Sequence, residues 1–189
     1  MEERPAVGRR RLLAGGCAWA LGAVLPRPVL AGGPPGAARH SRRPRRIDLV
    51  SVPTREEVSV VYWDGARYDV DALQEVTHVL RDYHTGEVRP VDPRLLDLLH
   101  DLRWLLRTSQ PFQILSGYRS PQTNALMRRQ DARVAPHSYH LDAKAADVRL
   151  PGVDGGRLLQ AALALQRGGI GYYPRRDFVH LDTGPLRVW

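Results

Sequence analysis

Two histidines and a group of carboxylates stand out by type and spacing. Ser138-Tyr139-His140-Leu141-Asp142-Ala143-Lys144-Ala145-Ala146-Asp147 is followed, 33 residues after its last acid, by His180 within Asp177-Phe178-Val179-His180-Leu181-Asp182. Two imidazoles and a carboxylate from these stretches could meet in space. Three protein ligands of that kind leave the fourth position of a tetrahedral metal to water, as a hydrolytic zinc centre requires. Such a metal brings the pKa of its water toward neutrality and polarises a scissile carbonyl. Strand alternation puts Phe178, His180 and Asp182 on one face and Val179 and Leu181 on the other, and a His and an Asp on one strand face are unusual in a core.

The other histidines read differently. A buried His bonded to a backbone carbonyl is commoner than a metal ligand, and His78, His84 and His100, in or beside helices, are expected to be of that kind. His40 needs no role, and His137 is either a rim residue or a competing ligand. Asp142 and Lys144 read as solvated loop charges, and Tyr172 and Tyr173 as core or cleft wall.

These residues sit among elements of both types. Val58 to Trp63 is β-branched and aromatic and ends at the turn signal Asp64-Gly65, which predicts a strand and hairpin opening the domain. Leu73, Val76, Val79 and Leu80 recur at helical spacing between Asp71 and Tyr83. Asp92-Pro93 caps and begins a leucine-rich helix that ends near Thr108. Pro111 to Leu115 reads as a buried strand, and Ser120-Pro121 starts a helix through Met127. Ala145 to Leu150 is a strand, Asp154 to Arg167 a helix stopped by Gly168-Gly169, and Ile170 to Tyr173 and Phe178 to Asp182 are short strands around Pro174. The pattern is a single mixed helix-and-strand domain without internal repeats.

The chain has 189 residues, 43% of them hydrophobic, enough for a core. Its formal charge of +8 comes from 28 Lys and Arg against 20 Asp and Glu. Residues 1–31 carry +3 and residues 32–46 carry +5, so residues 47–189 sum to zero with 18 charges of each sign. A basic nucleic-acid-binding domain is therefore excluded, along with a fold held to membranes by its own field.

Arg9-Arg10-Arg11-Leu12-Leu13 precedes an uncharged, mostly apolar run to Pro26, and Val29-Leu30-Ala31 supplies small residues at the spacing a signal peptidase reads. The run is shorter than the roughly 20 residues that span a bilayer. Residues 1–31 thus read as a signal peptide of twin-arginine type, with an ordinary secretory signal as the alternative. Cys17 lies inside the run rather than after it, which argues against lipidation. Cleavage after Ala31 leaves residues 32–189 without cysteine, so disulfides and thiol catalysis are excluded. Gly32 to Arg46 reads as a solvated Arg- and Pro-rich linker, and residues 47–189 as the folded domain.

The phrases Ser116-Gly117-Tyr118-Arg119-Ser120, Ser138-x-His140 with Asp147, Asp147-Val148-Arg149-Leu150-Pro151-Gly152, and Phe178-Val179-His180-Leu181-Asp182-Thr183-Gly184 occur in one order. In that order they resemble the D-Ala-D-Ala metallopeptidase group, the lysostaphin/D-Ala-D-Ala/hedgehog-type zinc peptidases, and within it the YcbK/MepK-like branch of murein endopeptidases. The resemblance runs from about Val58 to Trp189. It implies an α+β fold with a small antiparallel sheet, helices packed on one side and a zinc cleft on the sheet. It implies Zn2+ held by His140, Asp147 and His180. Arg119 would steady the oxyanion, a task suited to a planar, permanently charged fork. Ser138 and Tyr118 would contact substrate, and Asp177, three residues before His180, would be the general base. Asp182 is the substitute base or a partner behind His180. The family usually has Gly where this chain has Ala143, which asks for a turn that accepts a Cβ.

Together these readings predict a periplasmic zinc peptidase acting on peptidoglycan peptides, an endopeptidase or a carboxypeptidase of DD or LD type. The rivals are a zinc-free murein-binding module of the same fold, and a nucleic-acid or membrane-surface protein driven by the Arg-rich leader.

Overall fold

The computed structural model describes residues 43–132 and 134–189. The expected signal peptide, residues 1–31, and residues 32–42 of the expected linker lie outside them. The elements are β1 (Arg45–Ser51), β2 (Glu57–Trp63), α1 (Val70–Val79), α2 (Pro93–Leu105), β3 (Phe112–Ser116), α3 (Pro121–Gln130), β4 (Ala145–Arg149), α4 (Gly155–Leu165), β5 (Gly169–Tyr173), β6 (Phe178–Asp182) and β7 (Arg187–Val188). Short 3-10 turns at Tyr139–Asp142 and Pro174–Arg176 join β4 and β6 to what precedes them.

Each helix begins on a side-chain cap of the kind its sequence advertises. Asp69, Asp92, Ser120 and Asp154 accept from the backbone N–H of Ala72, Arg94, Thr123 and Arg157 respectively, each cap typically stabilising by about 1 kcal/mol. Pro93 and Pro121 occupy the first turn, where a missing N–H costs nothing.

The strands form one seven-stranded sheet in the order β2-β1-β3-β4-β6-β5-β7. It is larger than the small antiparallel sheet expected: β1 with β3 and β5 with β7 run parallel, and the other pairs antiparallel. Ile47 and Leu49 of β1, Val148 of β4, and Val179 and Leu181 of β6 join Val76, Leu95, Leu99, Leu158 and Ala162 of α1, α2 and α4 in one core. Those three helices therefore cover one sheet face. By alternation, Asp147 of β4 and His180 and Asp182 of β6 point to the other.

Two expectations are corrected. The domain starts earlier than residue 47, because Arg45 and Arg46 are the first residues of β1. Arg45 is buried against Asp97 at 2.7 Å, and Tyr62 and Tyr68 also donate to that carboxylate, so a linker charge becomes an interior ion pair. The hairpin partner of β2 is β1 before it, not a strand after Asp64-Gly65. The Asp64 carboxylate instead caps a tight turn by accepting from Ala66 and Arg67, which returns the chain to Tyr68.

Candidate metal centre

A row of paired residues crosses four strands. Ser116 of β3 pairs with Asp147 of β4, Asp147 with His180 of β6, and His180 with Gly171 of β5. The sheet register alone thus puts a carboxylate beside an imidazole, on the face away from the helices. His140 arrives from the 3-10 turn Tyr139–Asp142, whose entry is capped by Ser138. Ala143 closes that turn at φ 51. Its Cβ is accommodated in a left-handed conformation, which costs an ordinary residue about 1 kcal/mol.

His140, Asp147 and His180 are 1, 6 and 7% exposed. His140 Nε2 lies 3.2 Å from Asp147 Oδ1 and 3.1 Å from His180 Nδ1, and His180 Nδ1 lies 2.9 Å from Asp147 Oδ1. Ligands about 2.0–2.1 Å from a tetrahedral zinc stand about 3.3 Å from one another, so this triangle has the size that zinc requires. The outer nitrogens fix the direction of the inner ones. His140 Nδ1–H donates to the Gly117 carbonyl at 2.6 Å, and His180 Nε2–H donates to Asp182 Oδ2 at 3.1 Å. The inner nitrogens, His140 Nε2 and His180 Nδ1, then both face Asp147, and once the His180 ring is neutral a shared cation satisfies the arrangement.

Charge follows from the same contacts. Burial, with the Arg119 cation nearby, pushes the His140 imidazole down to about 4, so this ring is neutral near neutrality. Burial would raise Asp147, but the two imidazoles and Arg119 outweigh it and hold the carboxyl well below the usual range. For His180 burial disfavours charge, and the bonds to Asp147 and Asp182 overcome it and move the ring upward.

A second layer holds these three side chains. Arg119 Nε donates to Ser116 Oγ at 2.9 Å and Nη2 donates to Asp147 Oδ2, the oxygen turned away from the imidazoles. Arg119 N–H also donates to the His140 carbonyl at 3.1 Å, tying two ligand-bearing segments together. Gly117 passes so close to the Leu80 backbone that a Cβ there would overlap it, which lets its carbonyl reach His140. Asp182 is fully buried and also accepts from the N–H groups of Gly169 and Gly184 at 2.9 and 2.8 Å. Burial would raise its carboxyl, but His180 and those backbone bonds bring it to about 2.

The structure thus brings together His140, Asp147, His180 and Arg119, with Ser138 at the start of the His140 turn. Asp182 stands behind His180 as a partner, not over it as a base.

Other expected site residues are elsewhere. Asp177 takes φ 48 after the Pro174–Arg176 turn. Its carboxylate is 73% exposed and 3.9 Å from Arg149, and it lies beside Gly155 at the start of α4, on the helix-covered side. The expected base is therefore not beside the ligands, because the left-handed turn swings it away. Tyr118 is buried, and its hydroxyl donates to Glu87 at 2.7 Å, so it braces a loop instead of facing substrate. His137 is exposed and outside the ligand group. His78 and His84, expected among buried histidines, are both exposed, His78 beside Glu56 and His84 tilted against the Tyr83 ring, and His100 lies 3.3 Å from Asp101. Asp142 forms an exposed pair with Arg89. Tyr172 packs against the core, and Tyr173 stacks on Phe178 and accepts from Trp189 Nε1 at 3.0 Å.

Sequence reasoning missed the β7 side of the centre. Arg187 pairs with Asp182, and the Trp189 ring lies 5.2 Å from that of His180. The available signal was Gly169-x-Gly171 inside a strand, since glycine there marks close approach by other groups.

Comparison with known proteins agrees with this geometry. A family model, Peptidase_M15_2, described as peptidoglycan L,D-endopeptidase MepK, matches residues 39–189. Peptidoglycan L,D-endopeptidase MepK of Escherichia coli K12 is 39% identical over 181 residues, 96% of each chain. The Shigella flexneri protein of that name matches equally. The probable peptidoglycan L,D-endopeptidase MepK of Haemophilus influenzae is 34% identical over 182 residues, 96% of this chain and 94% of its own. A buried His-Asp-His triangle on an α+β sheet, with the family model spanning that whole domain, leads to one conclusion: this chain belongs to the peptidoglycan L,D-endopeptidase MepK family of M15 peptidases.

Proposed function

We propose that this chain is a zinc-dependent murein endopeptidase that hydrolyses amide bonds in peptidoglycan stem peptides, of the L,D type for which its relatives are named. The observation that carries the reading is the buried triangle of His140 Nε2, His180 Nδ1 and Asp147 Oδ1, with each ring held from behind by an outer hydrogen bond.

His140, Asp147 and His180 would hold the ion. Bound there, zinc supplies Lewis-acid polarisation of a carbonyl and acidified water at neutral pH. Arg119 keeps Asp147 aimed through Oδ2 and adds a permanent positive charge beside the ligands, suited to the negative oxygen of a tetrahedral intermediate. Ser138, two residues before His140 at the start of that turn, would meet the substrate backbone. Asp177 has no part in this scheme. The substrate lies outside the inner membrane, which agrees with a twin-arginine-type signal in residues 1–31 and a periplasmic mature protein. Among the described residues no helix is long and apolar enough to cross a membrane.

The test is zinc content of residues 32–189 by elemental analysis, joined to digestion of purified cross-linked peptidoglycan with and without chelator. Near-stoichiometric zinc and chelator-sensitive loss of L,D-cross-linked peptides are expected. Release of a terminal amino acid alone would make it a carboxypeptidase. A folded, metal-free protein that binds murein without cutting it would make it a binding module.

A further inference from the structure

Asp182 is the hinge between the metal ligand His180 and a residue that touches no ligand. Its Oδ2 accepts from His180 Nε2–H at 3.1 Å and from Arg187 Nη2 at 2.6 Å. Arg187 Nη1 lies 3.3 Å from Asp182 Oδ1 and from the Pro185 carbonyl, so the guanidinium grips the carboxylate with both arms. Its position is held from two further sides. The guanidinium carbon lies 4.8 Å from the centre of the Tyr139 ring, one residue before His140, and 5.1 Å from that of Trp189.

The backbone makes room for this grip. Gly169 pairs with Arg187 across β5 and β7, and a Cβ on it would lie 2.7 Å from the Arg187 guanidinium carbon and against Asp182 Oδ2. Any other residue would expel the guanidinium or the carboxylate. An arginine that only decorated an edge strand would need neither a buried acid, nor two aromatic faces, nor an excluded side chain opposite.

We propose that Arg187 is a positioning residue for the metal centre: by fixing Asp182 Oδ2 it holds the His180 ring so that Nδ1 faces the ion. The inference rests on the zinc reading above. Loss of Arg187 has two opposing effects. Removing a cation favours Zn2+, while freeing Asp182 lets the imidazole rotate away from its aim. The side chain is 40% exposed, so solvent screens the first effect and the second prevails.

The experiment measures zinc affinity by competition with a chromophoric chelator, the visible spectrum of the Co2+-loaded protein, the melting midpoint of the apoprotein, and kcat and KM. Wild type, His140→Ala, Arg187→Ala and Arg187→Lys are compared. Arg187→Ala is expected to bind zinc about tenfold or more weakly, the usual effect of losing an outer partner. Its cobalt spectrum should change and kcat fall at unchanged KM, with the apoprotein melting near wild type. Arg187→Lys keeps the charge but not the fork, and should lose less. If Arg187→Ala does not fold, Arg187→Lys decides. Wild-type affinity and spectrum in every folded Arg187 variant would overturn the proposal and leave Arg187 as an edge brace. A wild-type protein that takes up no more zinc than His140→Ala would instead overturn the zinc reading itself.

Discussion

Arg119 and Asp147 meet through the oxygen that the imidazoles do not use: Nη2 of Arg119 donates to Oδ2, while Oδ1 faces His140 Nε2 and His180 Nδ1. One carboxylate is thereby shared between a fixed cation and the ligand triangle. Arg119→Ala should lower kcat about 10²–10³-fold, the usual loss for one oxyanion donor, and weaken zinc about tenfold through the freed Asp147. Steady-state kinetics with chelator competition checks both. An unchanged kcat in metallated Arg119→Ala would confine the arginine to holding Asp147.

His140→Ala and His180→Ala each remove one corner of a buried triangle. Metal content and peptidoglycan hydrolysis should disappear together, as elemental analysis and product chromatography on the same preparations would reveal. A variant that hydrolyses at wild-type rate without metal would contradict the centre.

Asp177→Ala should keep its metal and turn over within about threefold of wild type. The reason is position: an exposed carboxylate beside Arg149 and α4 cannot accept a proton at the ligand triangle. A fully metallated but inactive Asp177→Ala would restore the acid as general base.

Zinc affinity should fall as pH falls. In the metal-free protein His180 is shifted up from its ordinary 6.5 by Asp147 and Asp182, which outweigh burial, so a proton occupies the ring that the ion needs. His140, pushed down to about 4, carries no proton in this window. Affinity therefore rises with pH through the raised His180 value and then levels, and below that value zinc uptake should release a proton. Calorimetry in buffers of different ionisation heat measures it. Zero proton release with flat affinity between about pH 6 and 8 would reject the assignment.

Asp82→Asn should destabilise the fold by about 2 kcal/mol at neutral pH. Burial would raise this carboxyl, but Thr123, Ser120 and the His84 N–H outweigh it and lower it from 3.8 to about 2. Its folded value lies below the unfolded one, so the stabilisation is present above about 3.8 and is lost as pH falls toward about 2. Urea unfolding at pH 7 and pH 2.5 should show the gap and then its closing. A gap that persists unchanged in acid would point to lost shape complementarity instead of charge.

The sequence is most legible where a local rule decides. The caps Asp92-Pro93, Ser120-Pro121 and Asp154 mark three helix starts, and alternation in Phe178–Asp182 puts His180 and Asp182 on one face. β1 escapes notice because its first residues continue an arginine run, and only Asp97, 52 residues away, turns Arg45 into an interior residue. Asp177 misleads because spacing counts positions along the chain while φ 48 sets the direction of the side chain. Tyr118 misleads because its partner, Glu87, comes from a loop that no pattern links to it. Arg187 is invisible because its role depends on a parallel pairing at the sheet edge, where two residues are too few to read as a strand.

The row Ser116–Asp147–His180–Gly171 also gives the ion a view of chain assembly. These four residues come from β3, β4, β6 and β5, and they line up only when three separate strand pairings share one register. A slip of one residue between β4 and β6 would send either Asp147 or His180 into the apolar face and bring Val148 or Val179 to the metal side. A mispaired chain therefore has no triangle to offer, and on the zinc reading retention of the ion would report the correctly paired sheet.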